Sequence, residues 1–333
     1  MKILLYSEAL NLIKKSGLGK AIEHQKKALK TAGVNFTTNI NDDYDILHIN
    51  TYFLKSYLLA KKARKSGKKI VYHAHSTEED FKDGFIFCRQ TSKLFKKWIC
   101  DCYNLGDVII TPTVYSKKIL ESYNLGKKIF VVSNGVDLNF FKPDIDSRYK
   151  FRKKYNIGDS DKLIIGVGLY IERKGIVDFV EIAKRCPSYK FIWFGYSPLN
   201  LATKAVRKAV NTKLDNLIFA GYVEQEIIRD ALNACDLYLF PTKEETEGIP
   251  VLEAAATKTN MIVRDIPVFQ ENFTHGENLY KAKTVDEFVD IINNLFAGKL
   301  KSSGDKAFAV AQKYSIENTG YKLKKAYEYV MRT

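Results

Sequence analysis

The chain has 333 residues, 46% of them hydrophobic, which is enough apolar material for two cores and sets a prior of two domains. Its formal net charge of +15 is uneven, because residues 1–150 carry 26 Lys/Arg against 15 Asp/Glu while the remainder carries 27 against 23. The first half therefore suits an anionic surface or polymer, yet no apolar run approaches the length of a membrane span.

The five cysteines contain no Cys-x-x-Cys pair, Cys100 and Cys102 are too close for a usual bridge, and histidine is scarce. A reduced, cytoplasmic chain is the simplest account. Met1-Lys-Ile-Leu-Leu-Tyr6 is too short for a signal sequence and reads as a first strand, Lys2–Ser7. Lys14-Lys-Ser-Gly-Leu-Gly-Lys20 reads as a glycine turn, followed by a helix over Ala21–Ala32 that stops at Gly33. Strand, Gly-x-Gly turn and helix together open a doubly wound α/β unit. The third glycine of the dinucleotide fingerprint is missing, and no acidic residue caps a following strand at the usual distance. A dehydrogenase is therefore disfavoured.

Asp43 and Asp45 imitate a metal-binding Asp-x-Asp, but they lead straight into Ile46-Leu-His-Ile-Asn50 and read as the turn before a parallel strand. Tyr52–Ser66 has helical character with Gly67 as its C-cap. Lys68–Ser76 is the next strand, with His73 and His75 at its carboxyl end, where open α/β sheets bind ligands. In Phe81–Tyr103, aromatics such as Phe95 and Trp98 alternate with Lys93, Lys96 and Lys97. That pattern suits either core packing or a helix at a membrane interface. Asp107–Pro112 and Ile129–Asp137 are further strands.

Phe141–Ser160, polar and basic, contains the crossing into a second α/β domain that starts at Leu163-Ile-Ile-Gly-Val-Gly168. Glu172-Arg-Lys-Gly175 opens that domain's first helix, and strands recur at Lys190–Tyr196, Asn216–Tyr222, Asp236–Phe240 and Asn260–Asp265. Helices follow near Val285–Phe296 and over Ser315–Val330. After Phe240 the chain reads Pro-Thr-Lys-Glu-Glu-Thr-Glu-Gly-Ile-Pro-Val-Leu-Glu253. Gly248 and Ile249 present backbone N–H groups at a helix start, a natural seat for phosphate. Glu245 and Glu253 flank that seat, and a carboxylate can accept two hydrogen bonds from a vicinal diol. A phosphate seat between two diol acceptors is what a nucleotide sugar requires.

The Glu-x7-Glu pair at Glu245 and Glu253 resembles the signature of retaining GT-B glycosyltransferases of family GT4. The resemblance covers essentially the whole chain. It is closest to the Gram-positive enzymes that lengthen monoglucosyl-diacylglycerol, through His73–Phe81, Phe191–Gly195 and Glu244–Ile249. It implies an α/β GT-B fold of two Rossmann-like domains facing a cleft. Residues 1–148 would form the acceptor and membrane domain and 149–311 the nucleotide-sugar domain, with 312–333 a helix crossing back to the first.

The resemblance also assigns roles. Arg173 and Lys174 would hold the pyrophosphate without a metal, although Leu169 stands where many relatives carry Arg. His75 would lie near the donor sugar, Glu245 on the hexose and Glu253 on the ribose. Gly17 and Gly19 would face the donor phosphates, and Tyr222 is a candidate for base stacking. The implied reaction moves glucose or galactose from a UDP-sugar to glucosyl-diacylglycerol at the inner face of the cell membrane, an anionic surface. A surface-polysaccharide GT4 enzyme and a non-catalytic UDP-sugar-binding protein are the alternatives. A nucleic-acid partner is not expected, because no RNA or DNA motif accompanies the charge.

Overall fold

Short apolar runs, each ended by a polar turn, become parallel strands in a computed structural model that describes residues 1–13, 16–82 and 84–333. The chain divides into two units. The first comprises Met1–Lys82, Arg89–Gly135 and Tyr314–Thr333; the second is Val136–Lys313 with the short stretch ending at Cys88.

In the first unit β1 (Lys2–Tyr6), α1 (Leu10–Ile13), α2 (Gly17–Thr31), β2 (Asn35–Thr37) and β3 (Ile46–Ile49) come first. Then follow α3 (Leu54–Lys65), β4 (Lys69–His73), α4 (Glu78–Lys82), α5 (Cys88–Tyr103), β5 (Val108–Thr111), α6 (Val114–Glu121) and β6 (Lys128–Val131). Its parallel sheet has the order β2-β1-β3-β4-β5-β6. Alternate residues of each strand feed opposite cores. Ile3, Leu5, Val71 and Ile110 pack with helix residues Ala28 and Leu29, whereas Leu4, Tyr72 and Ile109 pack with Ala60, Ile99 and Leu120. Both faces are covered, which is why these strands read as continuous apolar runs.

The second unit runs α7 (Ile145–Lys154), β7 (Leu163–Val167), α8 (Ile176–Arg185), β8 (Lys190–Phe194), α9 (Lys204–Val210), β9 (Leu217–Gly221), α10 (Gln225–Ala234) and β10 (Leu237–Phe240). It continues through α11 (Ile249–Ala256), β11 (Met261–Arg264), β12 (Tyr280–Ala282), α12 (Val285–Phe296) and α13 (Gly304–Lys313). The sheet order is β12-β11-β10-β7-β8-β9, all parallel, so the winding reverses between β7 and β10. The crevice beyond that reversal is where open α/β sheets bind ligands.

The last helix, α14 (Ile316–Arg332), belongs to the first unit and packs on α2. Ser315 caps it by accepting a hydrogen bond from the Asn318 N–H. Gly320 permits the approach, since a Cβ there would meet the Ala28 carbonyl oxygen at 2.3 Å.

Two expectations are corrected, and a third stretch, left open between two readings, is resolved in part. The expected glycine turn is helical at Gly17 and Gly19: Ser16 accepts the Gly19 N–H and starts α2 before Ala21. Lys14 and Lys15 of that turn lie outside the described residues. The expected helix opening at Glu172 is instead a 3-10 turn over Glu172–Lys174, and α8 begins only after Gly175, whose φ of +74° interrupts the helix. Within Phe81–Tyr103 the chain forms both α4 and α5, and much of the aromatic content turns inward. Phe81 stacks on Phe95 at 4.0 Å, and the Trp98 indole N–H donates to the Tyr52 carbonyl at 2.6 Å. Lys96 pairs with Glu78 and lies over the Tyr123 ring.

Candidate active site

The turn after β7 and the loop after β10 meet beyond the reversal of the second sheet. Gly175 makes the meeting possible: a Cβ there would lie 2.2 Å from the Pro241 carbonyl oxygen, and its positive φ suits glycine. Two backbone-directed contacts lock the loops together. The Lys243 N–H donates to the Arg173 carbonyl at 2.7 Å, and the Arg173 guanidinium donates to the Glu244 carbonyl at 2.7 Å. Arg264, which sequence reasoning passed over, supports the same junction by donating to the Pro241 carbonyl at 2.9 Å and pairing with Asp178.

Three of the expected side chains therefore come together. Lys174 forms a close ion pair with Glu245, and Arg173 stands 3.8 Å from the same carboxylate. Arg173 and Glu245 are both buried, so this is a poorly solvated cluster of two cations and one anion. The loop ends at Gly248, whose φ of +89° turns the chain into α11, with Pro250 in the first turn. Ile249 is buried at the helix start, and Glu253 is fully buried one turn later. A second unforeseen residue is Tyr238 on β10. Burial raises its hydroxyl well above the usual range, and the charges of Glu253 and Glu245 raise it further. Tyr222 is placed differently: it is 39% exposed after β9, the edge strand, with β8 and β7 between it and β10.

The first unit has its own polar cluster at the carboxyl ends of β3 and β4. His75 lies just beyond β4, its Nε2 2.8 Å from Asn50 Oδ1. Its ring stacks on His73 at 4.0 Å, and His73 in turn stacks on His48 at 5.3 Å. Burial pushes His48 and His75 down to about 3 and lowers His73 well below the ordinary range, so all three rings are neutral near pH 7. Sequence reasoning missed Asn50 and Gln25, which knit these rings together. A polar residue ending β3 beside the reversal of the first sheet was the available signal for Asn50. Asp45 accepts the Lys2 N–H at 2.7 Å and Asp43 pairs with Lys68, as turn residues before a strand do.

The model of Glycosyltransferase Family 4 matches residues 26–140, and that of Glycosyl transferases group 1 matches residues 147–307. The processive diacylglycerol alpha-glucosyltransferase of Acholeplasma laidlawii is 38% identical over the whole of this chain and 99% of its own length. This chain belongs to the GT4 glycosyltransferases. The alpha-galactosylglucosyldiacylglycerol synthase of Streptococcus pneumoniae is 23% identical, over 85% of this glycosyltransferase and 76% of that protein. Among solved structures, Anabaena HepE in complex with UDP-glucose superposes with a TM-score of 0.80 at 18% identity, covering 99% of this chain and 100% of its own. The fold of this glycosyltransferase is thus GT-B, as its two parallel sheets imply.

Proposed function

We propose that the enzyme transfers glucose or galactose from a UDP-sugar to glucosyl-diacylglycerol with retention of the α-configuration. The observation that carries the reading is the gathering of Arg173, Lys174, Glu245 and the start of α11 at one sheet reversal. Full-length likeness to a diacylglycerol glucosyltransferase supplies the acceptor class.

In this reading the donor's pyrophosphate replaces Glu245 as the partner of Arg173 and Lys174. The two cations and the N–H groups at Gly248 and Ile249 then stabilise the departing UDP, the largest contribution the protein makes. Glu245, released from Lys174, accepts hydroxyls of the hexose, and Glu253 accepts the ribose diol. The acceptor hydroxyl attacks on the face the phosphate leaves, and the departing β-phosphate oxygen takes its proton. His75 serves the transferred sugar, Tyr222 the base, and Gly17 and Gly19 the phosphates, as the resemblance gives their positions. No divalent ion is needed where two side-chain cations already face the leaving group.

The acceptor is a lipid, and the first unit offers a surface for its membrane. On α3, Leu54 and Leu58 are 62% and 54% exposed beside Lys55, Lys61, Lys62 and Lys65; on α5, Leu94 is 72% exposed between Lys93 and Lys97. The two helices are neighbours, since Tyr57 meets Trp98 at 5.2 Å. Among the described residues no helix is long and apolar enough to cross a membrane. Apolar side chains ringed by lysines suit peripheral docking on an anionic leaflet.

The test is turnover of UDP-glucose and UDP-galactose with glucosyl-diacylglycerol in mixed micelles, the product linkage being read by NMR. Formation of an α-linked diglycosyl lipid, with EDTA changing the rate by no more than about twofold, is the expected result. Absence of any product from both donors overturns the reading, and full EDTA inhibition reversed by manganese overturns its metal-free step.

A further inference from the structure

The cluster around His75 is connected in one direction. Asn50 Oδ1 can only accept, and it lies 2.8 Å from both His75 Nε2 and Gln25 Nε2. Gln25 Nε2 also donates to His73 Nδ1 at 3.0 Å. His73 Nδ1, being an acceptor, takes a second bond from His48 Nε2 at 3.2 Å. His48 Nδ1 is then the acceptor of the Tyr327 hydroxyl at 2.6 Å, which brings the last helix into the same network. With the Gln25 and Asn50 amides oriented in this way, one assignment of protons satisfies these five contacts, and Gln25 Nε2 and His75 Nε2, 3.4 Å apart, both donate to Asn50 Oδ1.

We propose that Gln25, Asn50, His73, His48 and Tyr327 are positioning residues. They hold His75 as a single neutral tautomer, protonated on Nε2, so that Nδ1 can only accept a hydrogen bond. The inference rests on the role given to His75 above.

Two features favour positioning over simple core packing. First, the rings of His48, His73 and His75 are stacked and nearly parallel, with interplanar angles of 12° and 6°. A proton gained by any one ring would be opposed by its desolvated surroundings and lies in contact with the next ring. The stack therefore holds the neutral state of all three. Second, the network is not the most stable filling for its space. Among the described residues, Gln25 Oε1, Asn50 Nδ2 and His73 Nε2 are buried with no hydrogen-bond partner. Buried polar atoms without a protein partner are destabilising relative to an apolar filling. A destabilising network that fixes one proton position has a use where that proton position matters.

Four proteins test this: the wild type, His75→Ala, Asn50→Leu and the double variant. Ring 15N shifts should place the His75 proton on Nε2 in the wild type and on a mixture of both nitrogens in Asn50→Leu. Loss of one neutral hydrogen bond should lower kcat up to about tenfold in Asn50→Leu without changing KM for the donor. Asn50→Leu should add nothing in the His75→Ala background. Additive losses in the double variant, or an unchanged tautomer in Asn50→Leu, overturn the proposal. Full activity in His75→Ala would instead overturn the role of His75, an outcome the 15N measurement separates from the first. If Asn50→Leu fails to fold, Gln25→Met removes the donor that orients Asn50 and carries the same two readouts.

Discussion

Glu245 and Glu253 occupy matching positions in the sequence motif but different physical settings. Glu253 is fully buried on α11, whereas Glu245 holds Lys174 and approaches Arg173. A carboxylate that binds the ribose directly should affect nucleotide affinity: Glu253→Gln should weaken UDP about tenfold to a hundredfold, the worth of a charge-assisted hydrogen bond. Glu245→Gln frees two cations that phosphate otherwise has to win from a carboxylate. UDP should bind as tightly as to the wild type, or more tightly, while turnover falls because the hexose loses its acceptor. Calorimetric titration with UDP, paired with kcat for each variant, checks both. Equal UDP affinities and full turnover in both variants would remove the assignment.

At the scale of elements, β3 and β4 each end in histidine-bearing segments stacked beneath α2 and α14. The three rings are neutral when folded and have depressed pKa values, to about 3 for His48 and His75, against about 6.5 in an unfolded chain. Between those values the unfolded chain binds protons that the folded chain refuses, so stability must rise with pH in that window. It is complete above about 6.5 and is lost progressively as pH falls toward 3, by about 1.4 kcal/mol per pH unit for each proton the folded rings refuse. Most carboxylates titrate lower, so the upper part of the loss belongs to histidine. Urea denaturation at pH 7.5 and 5.5 should show a clear drop in midpoint at the lower pH. A midpoint unchanged across that interval would contradict the neutral stack.

At the scale of the molecule, the excess positive charge of the first half has a place to act. The residues expected at a membrane from sequence were Lys93, Lys96, Lys97 and Trp98, helped by the Lys61–Lys69 cluster if it shares their face; of these, Trp98 and Lys96 are engaged inside the unit. The proposed surface combines Lys93 and Lys97 with Lys61, Lys62 and Lys65 of α3 around Leu54, Leu58 and Leu94. Reversing those five lysines to Glu should abolish sedimentation with phosphatidylglycerol vesicles, since each contributes about 1 kcal/mol near an anionic leaflet. Binding of UDP should survive, and wild-type binding should weaken with salt as the attraction is screened. A wild type that stays in the supernatant at low salt would remove the physical case for a lipid acceptor and favour a polysaccharide one.

Much of this was legible in the chain itself. Parallel strands buried on both faces must be apolar throughout, so Leu47, Ile110 and Leu239 announced themselves, and the Glu-x7-Glu spacing across a strand end and a helix start marked one face of the crevice. Local rules, however, describe neighbours in sequence. That Lys174 would close on Glu245, that Gly175 would clear the Pro241 carbonyl, and that Trp98 would donate inward to Tyr52 all depend on which strands and helices lie side by side. The histidine stack shows this most clearly. Gln25, His48, Asn50, His73 and Tyr327 come from four separate elements and a loop, and only the packing of α2 and α14 over β3 and β4 brings them to one ring. Sequence determines which side chains can bond; the sheet order and the returning helix decide which of them meet.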